Sequence, residues 1–184
     1  MNLYLRLLRL LLSLAFVRRR GLFETSRFAF RVWPNDCDLN LHMNNGRYLT
    51  FMDLGRTHLM AQLGLLRVIV RKRWQPVLAA AEISFLRGLA PFENFTLATR
   101  LLTWDEKYIY IEHRFERGQV LCAVALVKAV FLERQRRLAP AEIVAALGID
   151  TPAPPVPAVI VRWNELTALK KEHTSNSETA THGG

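Results

Sequence analysis

The segment from Asp36 to Tyr48 carries a high density of groups that can do chemistry. Its thirteen residues include two carboxylates, one imidazole and three amides, and the segment runs directly into a helical pattern. A packed core does not need so many polar side chains, because each one costs free energy when it is buried without a partner. This segment is therefore the first candidate for a reactive site.

The residues Asn44, Asn45 and Gly46 are typical of a helix start, where a side-chain oxygen accepts a hydrogen bond from a free backbone N–H. The unpaired N–H groups of such a first turn, together with the helix macrodipole, bind anions and polarised carbonyl oxygens. Asp38 and His42 precede this turn closely enough to reach the same ligand. The arrangement predicts acyl-transfer chemistry at a helix N-terminus, with residues 44–46 holding the substrate.

The run Asp38-Leu-Asn-Leu-His-Met-Asn-Asn45, with Tyr48 one turn later, resembles the signature of hotdog-fold thioesterases. The branch it resembles includes 4-hydroxybenzoyl-CoA-type and acyl-carrier-protein thioesterases, and the resemblance extends over residues 28–132. It implies an α+β hotdog fold, in which an antiparallel sheet wraps around one long helix. It also implies hydrolysis of an acyl-CoA or acyl-carrier-protein thioester without a cofactor, in a homodimer or tetramer whose active site lies between subunits.

The resemblance implies catalytic roles for Asp38, Asn40 and His42. Asp38 either attacks the thioester carbon or takes a proton from water, and the alternative is that it only caps the following turn. Asn40 and His42 match the Asn-x-His pair of the acyl-carrier-protein branch, where they orient or activate water. The alternative for His42 is a structural imidazole. Leu41 replaces the small residue of the 4-hydroxybenzoyl-CoA type, so whether Asp38 or His42 leads stays open. Tyr48 is expected to contact substrate or to pack in the core.

Length and charge limit the other function classes. A chain of 184 residues is one domain, and its net charge of +9 suits an anionic partner such as a membrane surface or a phosphate-bearing substrate. No nucleic-acid motif, metal-ligand spacing, glycine-rich phosphate loop or Gly-x-Ser-x-Gly elbow is present in the sequence, so we expect no nucleic acid and no metal. Two scattered cysteines favour a reducing, cytoplasmic location.

Three regions follow from the patterns along the chain. Residues 1–20 predict a basic amphipathic helix with Arg6 and Arg9 on a narrow polar edge, followed by three arginines at 18–20. We expect it to lie on an anionic membrane surface; a short signal-anchor and a helix packed on the protein's own body are the alternatives. The sequence predicts the hotdog domain over residues 21–150. Over residues 151–184 it predicts a proline-rich segment and a disordered polar tail.

Within the central region, periodicity predicts one long helix, a basic connector and an antiparallel sheet. The predicted elements are a strand at 28–32, a helix at 45–63 closed by Gly64, a connector at 65–74, strands at 77–87, 94–104, 107–116 and 119–132, and a short helix at 140–147.

Two rival functions remain beside a thioester hydrolase. One is a non-catalytic hotdog protein that binds acyl thioesters or lipids and is recruited to membranes. The other is a hotdog lyase acting on enoyl thioesters, which is disfavoured because its usual pairing of histidine and acid is not evident. A tunnel that reaches the turn after Asn44 favours the hydrolase, whereas a plugged tunnel favours the binding protein.

Overall fold

The computed structural model of the protein describes residues 3–14 and 17–181. Residues 1–153 and 154–184 form two compact units. The first unit holds the sheet, and its elements are α1 (Leu3–Leu14), β1 (Ser26–Arg31), α2 (Asn45–Leu63), α3 (Leu65–Lys72), β2 (Trp74–Phe85), β3 (Asn94–Trp104), β4 (Ile109–Arg117), β5 (Val120–Glu133), β6 (Arg136–Leu138) and α4 (Pro140–Ala145). The second unit contains α5 (Ala158–Thr181).

Helix α2 is the central helix, and its two ends have the predicted caps. Asn44 accepts a hydrogen bond from the Gly46 N–H at 2.9 Å, and Gly64 ends the helix in the left-handed region at φ 78°. Gly55 faces the sheet so closely that a Cβ there would lie 2.7 Å from Leu97 and Thr99 side-chain atoms. The glycine therefore lets the helix backbone approach β3, which explains why a poor helix former is tolerated in mid-helix.

The sheet is antiparallel, with strand order β1-β3-β4-β5-β2, and β6 pairs with the end of β5. Its inner face and α2 enclose the main hydrophobic core, in which Phe51, Met52 and Phe115 are fully buried. The short gaps between the predicted strands at 94–104, 107–116 and 119–132 correspond to the tight turns that join β3, β4 and β5. The architecture confirms the predicted α+β hotdog fold.

Strand β2 is an open edge of this sheet. It pairs with β5 on one side only, and most of its side chains from Gln75 onward are exposed or half-exposed. Val77, Leu78 and Phe85 are among the exposed large apolar side chains. An open apolar edge of twelve residues is a surface that proteins normally cover, because unpaired strand edges recruit other strands.

Helix α1 packs on the sheet domain, which is one of the alternatives weighed for it. Arg6, predicted on the narrow polar edge, is only 2% exposed, and Leu10 is buried in the main core. The outward-facing leucines are Leu5, Leu8, Leu11 and Leu12. The polar edge is buried at Arg6 because a carboxylate on the domain, Asp36, accepts its guanidinium, a contact that a helical wheel cannot reveal. Within the described residues, no helix is both long and apolar enough to cross a membrane.

Two further segments differ from their predicted structure. The stretch predicted as a connector forms helix α3, whose Leu65 and Val68 are buried against β5 and α4 residues. The tail, expected to be disordered, is helical as far as Thr181, and residues 182–184 lie outside the described residues. Its alanines, lysines and glutamates are good helix formers. The prediction of disorder considered only the polar composition of the tail and not this helix propensity.

Candidate active site

The segment before α2 forms a tight loop that folds back on itself. Asp38 N–H donates to the His42 carbonyl at 2.9 Å, and Leu41 N–H donates to the Asp38 carbonyl at 3.1 Å. Cys37 and Met43 close the loop as an isolated antiparallel bridge. Leu41 has φ 55°, a conformation that costs energy for a residue with a branched side chain. The loop therefore has a defined shape, held by backbone bonds across its base.

Asp36 fixes this loop to the rest of the domain. Its carboxylate is completely buried and accepts from Arg6, from Arg47 at 2.6 Å and from the Trp33 N–H at 2.9 Å. Its backbone carbonyl accepts the Asn44 N–H at 2.8 Å. Burial alone would raise the pKa of Asp36, but these hydrogen bonds outweigh burial and hold the pKa below its usual value. Asp36 is therefore an ionised residue on which several hydrogen bonds of the loop converge.

Asp38, Asn40 and His42 all lie on this loop, within one turn of each other. Asp38 is half-buried, and its Oδ1 accepts the Asn40 N–H at 2.9 Å, while Asn40 and His42 are exposed. The turn-capping role weighed for Asp38 is therefore present. It uses one lone pair of one oxygen, so the carboxylate keeps further acceptor capacity.

The His42 ring lies against the backbone of the loop that follows β2. A Cβ built on Gly88 would come within 2.9 Å of His42 Cγ and Nε2, and the neighbouring Leu89 carbonyl accepts the Met43 N–H at 2.8 Å. Only a residue without a side chain leaves room for the ring in this position. Gly88 thus sets where the imidazole stands.

Replacing Gly88 by alanine should displace the His42 ring while leaving the fold intact, since Gly88 is exposed and not in the left-handed region. We expect turnover of any substrate that depends on His42 to fall by about ten-fold or more, because small misplacements of a reacting group are costly. The control is Gly118→Ala, where nothing lies within 4 Å of the added Cβ but φ is 57°. That control should lose stability and keep turnover; equal turnover in both variants would contradict the role of Gly88.

The start of α2 partly matches the expected substrate site. Asn45 and Gly46 are exposed, but the Gly46 N–H already donates to Asn44 Oδ1, and the Arg47 N–H donates to the Asn44 carbonyl at 2.8 Å. The first turn is therefore capped by its own residue, and a ligand would have to share or replace the Asn44 side chain. Tyr48 is 2% exposed and contacts the rings of Phe85 and Phe115. Burial raises the pKa of Tyr48 to about 12, and its position is that of a core residue.

An apolar cavity of about 210 Å³ lies beneath the second half of α2. Side chains from α2, β3, β4 and β5 line its interior, and Pro76, Val77 and Leu78 of the open strand β2 also line it. Asp53 and Arg56 form an ion pair at its polar side. Its helix residues begin with Asp53, eight residues beyond Asn45, which is about 12 Å along a helix. The cavity of one chain is thus separate from its own reactive loop.

Sequence reasoning missed Arg6, Arg47 and Gly88. Arg47 lies inside the motif, three residues after the helix cap Asn44. That spacing was a weak signal that its side chain could point back and contact the loop before the helix. Arg6 and Gly88 are distant along the chain from the residues they touch, so no local pattern marks them. Among the described residues, no three His, Cys, Asp or Glu side chains cluster as metal ligands.

Comparison with known proteins identifies the relatives of this arrangement. The family model described as "Thioesterase-like superfamily" matches residues 32–164. Protein THEM6 of Xenopus laevis is 31% identical over 147 residues, which cover 78% of this chain and 69% of that protein. A probable thioesterase of Saccharomyces cerevisiae is 28% identical over 133 residues, covering 70% of this chain but only 57% of the yeast protein.

A solved structure agrees with these sequence matches at the level of the fold. A probable thioesterase from Bartonella henselae superposes with a TM-score of 0.57 at 23% identity. The superposition covers 62% of this chain and 99% of the Bartonella chain. The Bartonella chain is therefore matched nearly complete.

Proposed function

We propose, from the premise that this chain belongs to the thioesterase-like superfamily, that it hydrolyses acyl thioesters to the free acid and the thiol. The observation that carries the proposal is the loop of Asp38, Asn40 and His42 standing directly before the N-terminus of α2. Such a loop brings a base and a set of oxyanion donors to one place. We propose acyl-CoA as the substrate, with acyl-carrier protein as the alternative carrier.

In the proposed reaction, water attacks the thioester carbon and the carbon–sulfur bond breaks. Asp38 takes a proton from this water, and His42 and Asn40 orient the water or assist the proton transfer. The thiolate leaves and is protonated to the thiol. The developing oxyanion is stabilised by the N–H groups of Asn45 and Gly46, once the Asn44 side chain releases Gly46.

We further propose that the apolar cavity binds the acyl chain. Its wall is built mainly of aliphatic and aromatic side chains, with Leu59, Leu101 and Phe131 on three different elements. Such a wall favours a lipophilic chain, because it buries apolar surface. The excess of basic residues in the chain suits the phosphates of coenzyme A by charge alone.

The separation of loop and cavity supports an active site shared between two subunits. Val77 and Leu78 at one end of β2 line the cavity, whereas Phe85 at the other end contacts Tyr48 in the first turn of α2. Antiparallel pairing of β2 with its copy, about a two-fold axis, would bring the cavity end of one strand beside the loop end of the other. We propose this homodimer as the catalytic unit, and a tetramer would stack such dimers.

Mixing two inactive variants tests together the proposal that the cavity binds the acyl chain and the proposal that the active site is shared between subunits. Asp38→Asn disables the loop, and Ala129→Phe fills the cavity, which Ala129 lines. If the site is shared, a mixed dimer keeps one intact pair of loop and cavity, so an equal mixture after subunit exchange should regain about a quarter of wild-type thiol release. A site contained in one subunit predicts no recovery. Sedimentation of each variant checks that both remain dimers.

We also propose that the protein lies peripherally on an anionic membrane surface through α1. The outward side chains Leu5, Leu8 and Leu12 are each at least half exposed, and three exposed arginines follow at 18–20. Apolar side chains flanked by cations suit the interface of an anionic bilayer. In a flotation assay with vesicles containing phosphatidylglycerol, the wild type should float with the vesicles and Leu8→Asp should stay behind. Equal floating fractions of the two proteins would oppose the proposal.

The second candidate function is a non-catalytic protein that binds acyl thioesters or lipids. It is favoured by the capped first turn of α2, in which Asn44 already occupies the Gly46 N–H. Thiol release from acyl-CoAs of several chain lengths separates the two candidates. Turnover by the wild type supports the hydrolase, and binding without turnover on either carrier supports the binding protein.

A further inference from the structure

We propose that Arg6 of α1 is a positioning residue for the reactive loop, so that the N-terminal helix is a working part of the active site. The inference rests on the proposed thioesterase function, which it extends to a residue thirty positions away from the loop. Neither the signature nor the family match, which begins at residue 32, includes α1.

The first observation is the contact between Arg6 and Asp36. The Arg6 guanidinium donates to both carboxylate oxygens, to Oδ1 at 2.7 Å, and also to the Arg31 carbonyl at 3.1 Å. Both side chains are excluded from water, at 2% and 0% exposure. A bidentate ion pair in this setting has a fixed geometry, and losing one partner leaves the other charge buried and unpaired.

The second observation is how Arg6 itself is held. Its guanidinium carbon lies 4.6 Å from the centre of the Phe51 ring, and Leu10, one helical turn further, is fully buried in the main core. The side chain is thus packed between the helix that carries the active-site turn and the loop that precedes it. Helix α1 therefore presents a rigid cation to Asp36 instead of a mobile surface arginine.

The third observation is that Arg47 cannot substitute for Arg6. Arg47 is 26% exposed and donates twice to Oδ1, whereas Oδ2 accepts from Arg6 and from the Trp33 N–H. Without Arg6, Oδ2 keeps the Trp33 N–H but loses its cation, so the balance of contacts on the carboxylate shifts toward Arg47 on the Oδ1 side. Asp38 lies two residues beyond Asp36, and the Asp36 carbonyl holds the Asn44 N–H. A shift of Asp36 therefore moves the base and the helix cap together.

The test compares two arginine variants of the full chain on the same helix. Arg6→Met removes the cation at similar length, and Arg9→Met is the matched control, because Arg9 is exposed and makes no contact with Asp36. We expect kcat for acyl-CoA hydrolysis to fall about 10–100-fold in Arg6→Met with KM within about two-fold, and to be unchanged in Arg9→Met. Guanidinium ion, added far below denaturing concentration, should restore part of kcat in Arg6→Met alone.

Several results would overturn the proposal. Equal kcat in Arg6→Met and Arg9→Met would remove the positioning role, and a loss of kcat that guanidinium does not restore would reduce Arg6 to a stabilising residue. If Arg6→Met does not fold, Arg6→Lys takes its place, since it keeps the charge but not the two-oxygen contact. Full kcat in Arg6→Lys would count against positioning by geometry, and a reduced kcat would support it.

Hydrogen exchange separates this inference from the proposed function. Amide exchange of residues 36–47 should accelerate in Arg6→Met and stay unchanged in Arg9→Met, whether or not the wild type hydrolyses a thioester. A wild type without turnover would contradict the proposed hydrolase, and the exchange result would then decide whether Arg6 holds the loop. Unchanged exchange in Arg6→Met would overturn the positioning role of Arg6 even if the wild type is an active thioesterase.

Discussion

Asp38→Asn is expected to reduce acyl-thioester hydrolysis by about 10²–10⁴-fold with little loss of stability. Asparagine can accept the same hydrogen bond from the Asn40 N–H that Asp38 Oδ1 accepts at 2.9 Å, so the turn should persist. What is lost is the negative charge and the ability to take a proton or attack the carbonyl carbon. Thiol release under saturating acyl-CoA, with thermal unfolding in parallel, measures both effects.

Two further variants sharpen this result. Asp150→Asn changes an exposed aspartate far along the chain from the loop and should behave as wild type. His42→Ala asks which residue leads the chemistry. If activity collapses only in His42→Ala and survives in Asp38→Asn, the Asn-x-His mechanism replaces the carboxylate-led mechanism, and the prediction for Asp38 is refuted.

Asp36→Asn is expected to lower the free energy of unfolding by about 3–5 kcal/mol, the usual cost of breaking a buried ion pair. The substitution leaves the buried Arg6 guanidinium without its counter-ion and weakens two hydrogen bonds from Arg47. Urea unfolding of the wild type, both single variants and the double variant with Arg6→Met gives the coupling between the two residues. Additive losses would contradict a direct interaction.

The same pair contributes to the pH dependence of stability, with a definite sign. The pKa of Asp36 is lowered in the folded state, so its contribution is fully present above the unfolded pKa of about 3.9. The contribution is lost as the pH falls through the lower, folded pKa. In Asp36→Asn this part of the acid dependence should disappear, and the unfolding curves of the two proteins should converge toward low pH.

Much of the fold could be predicted because it follows from local patterns. The bounds of α2 were predicted from Asn44, Gly64 and the three- and four-residue spacing of apolar side chains, and they agree with the structure. The bounds of β3 agree in the same way, since alternation and tight turns act over a few residues. The differences at α3 and the tail, and the burial of Arg6 on α1, concern segments whose structure or orientation depends on what they pack against, or whose composition suggested disorder.

For the candidate active-site loop, the sequence predicted which residues come together but not which residues hold them in place. The motif placed Asp38, Asn40 and His42 together because they are neighbours in sequence. Their supports, Arg6 from one side and Gly88 from the other, come from remote segments that meet only in three dimensions. Tyr48 follows the same rule: its spacing marked it as important, and only the packing against Phe85 and Phe115 shows that its place is the core.

The strand order has a consequence for how the chain reaches this structure. The pairings within β3, β4 and β5 join residues as close as Arg117 and Val120, whereas β2 pairs with β5 at sequence separations of 38 to 59 residues, from Phe85–Ala123 to Trp74–Glu133. Contacts between remote segments form late, because closing long loops costs entropy before any contact repays it. We therefore expect β3, β4 and β5 to pair first and the two edge strands, β1 and β2, to dock later, since β1 pairs with β3 across separations of 63 to 73 residues. Until they dock, one edge of β3 and one edge of β5 stay unpaired, and the chain is most prone to aggregation in that interval.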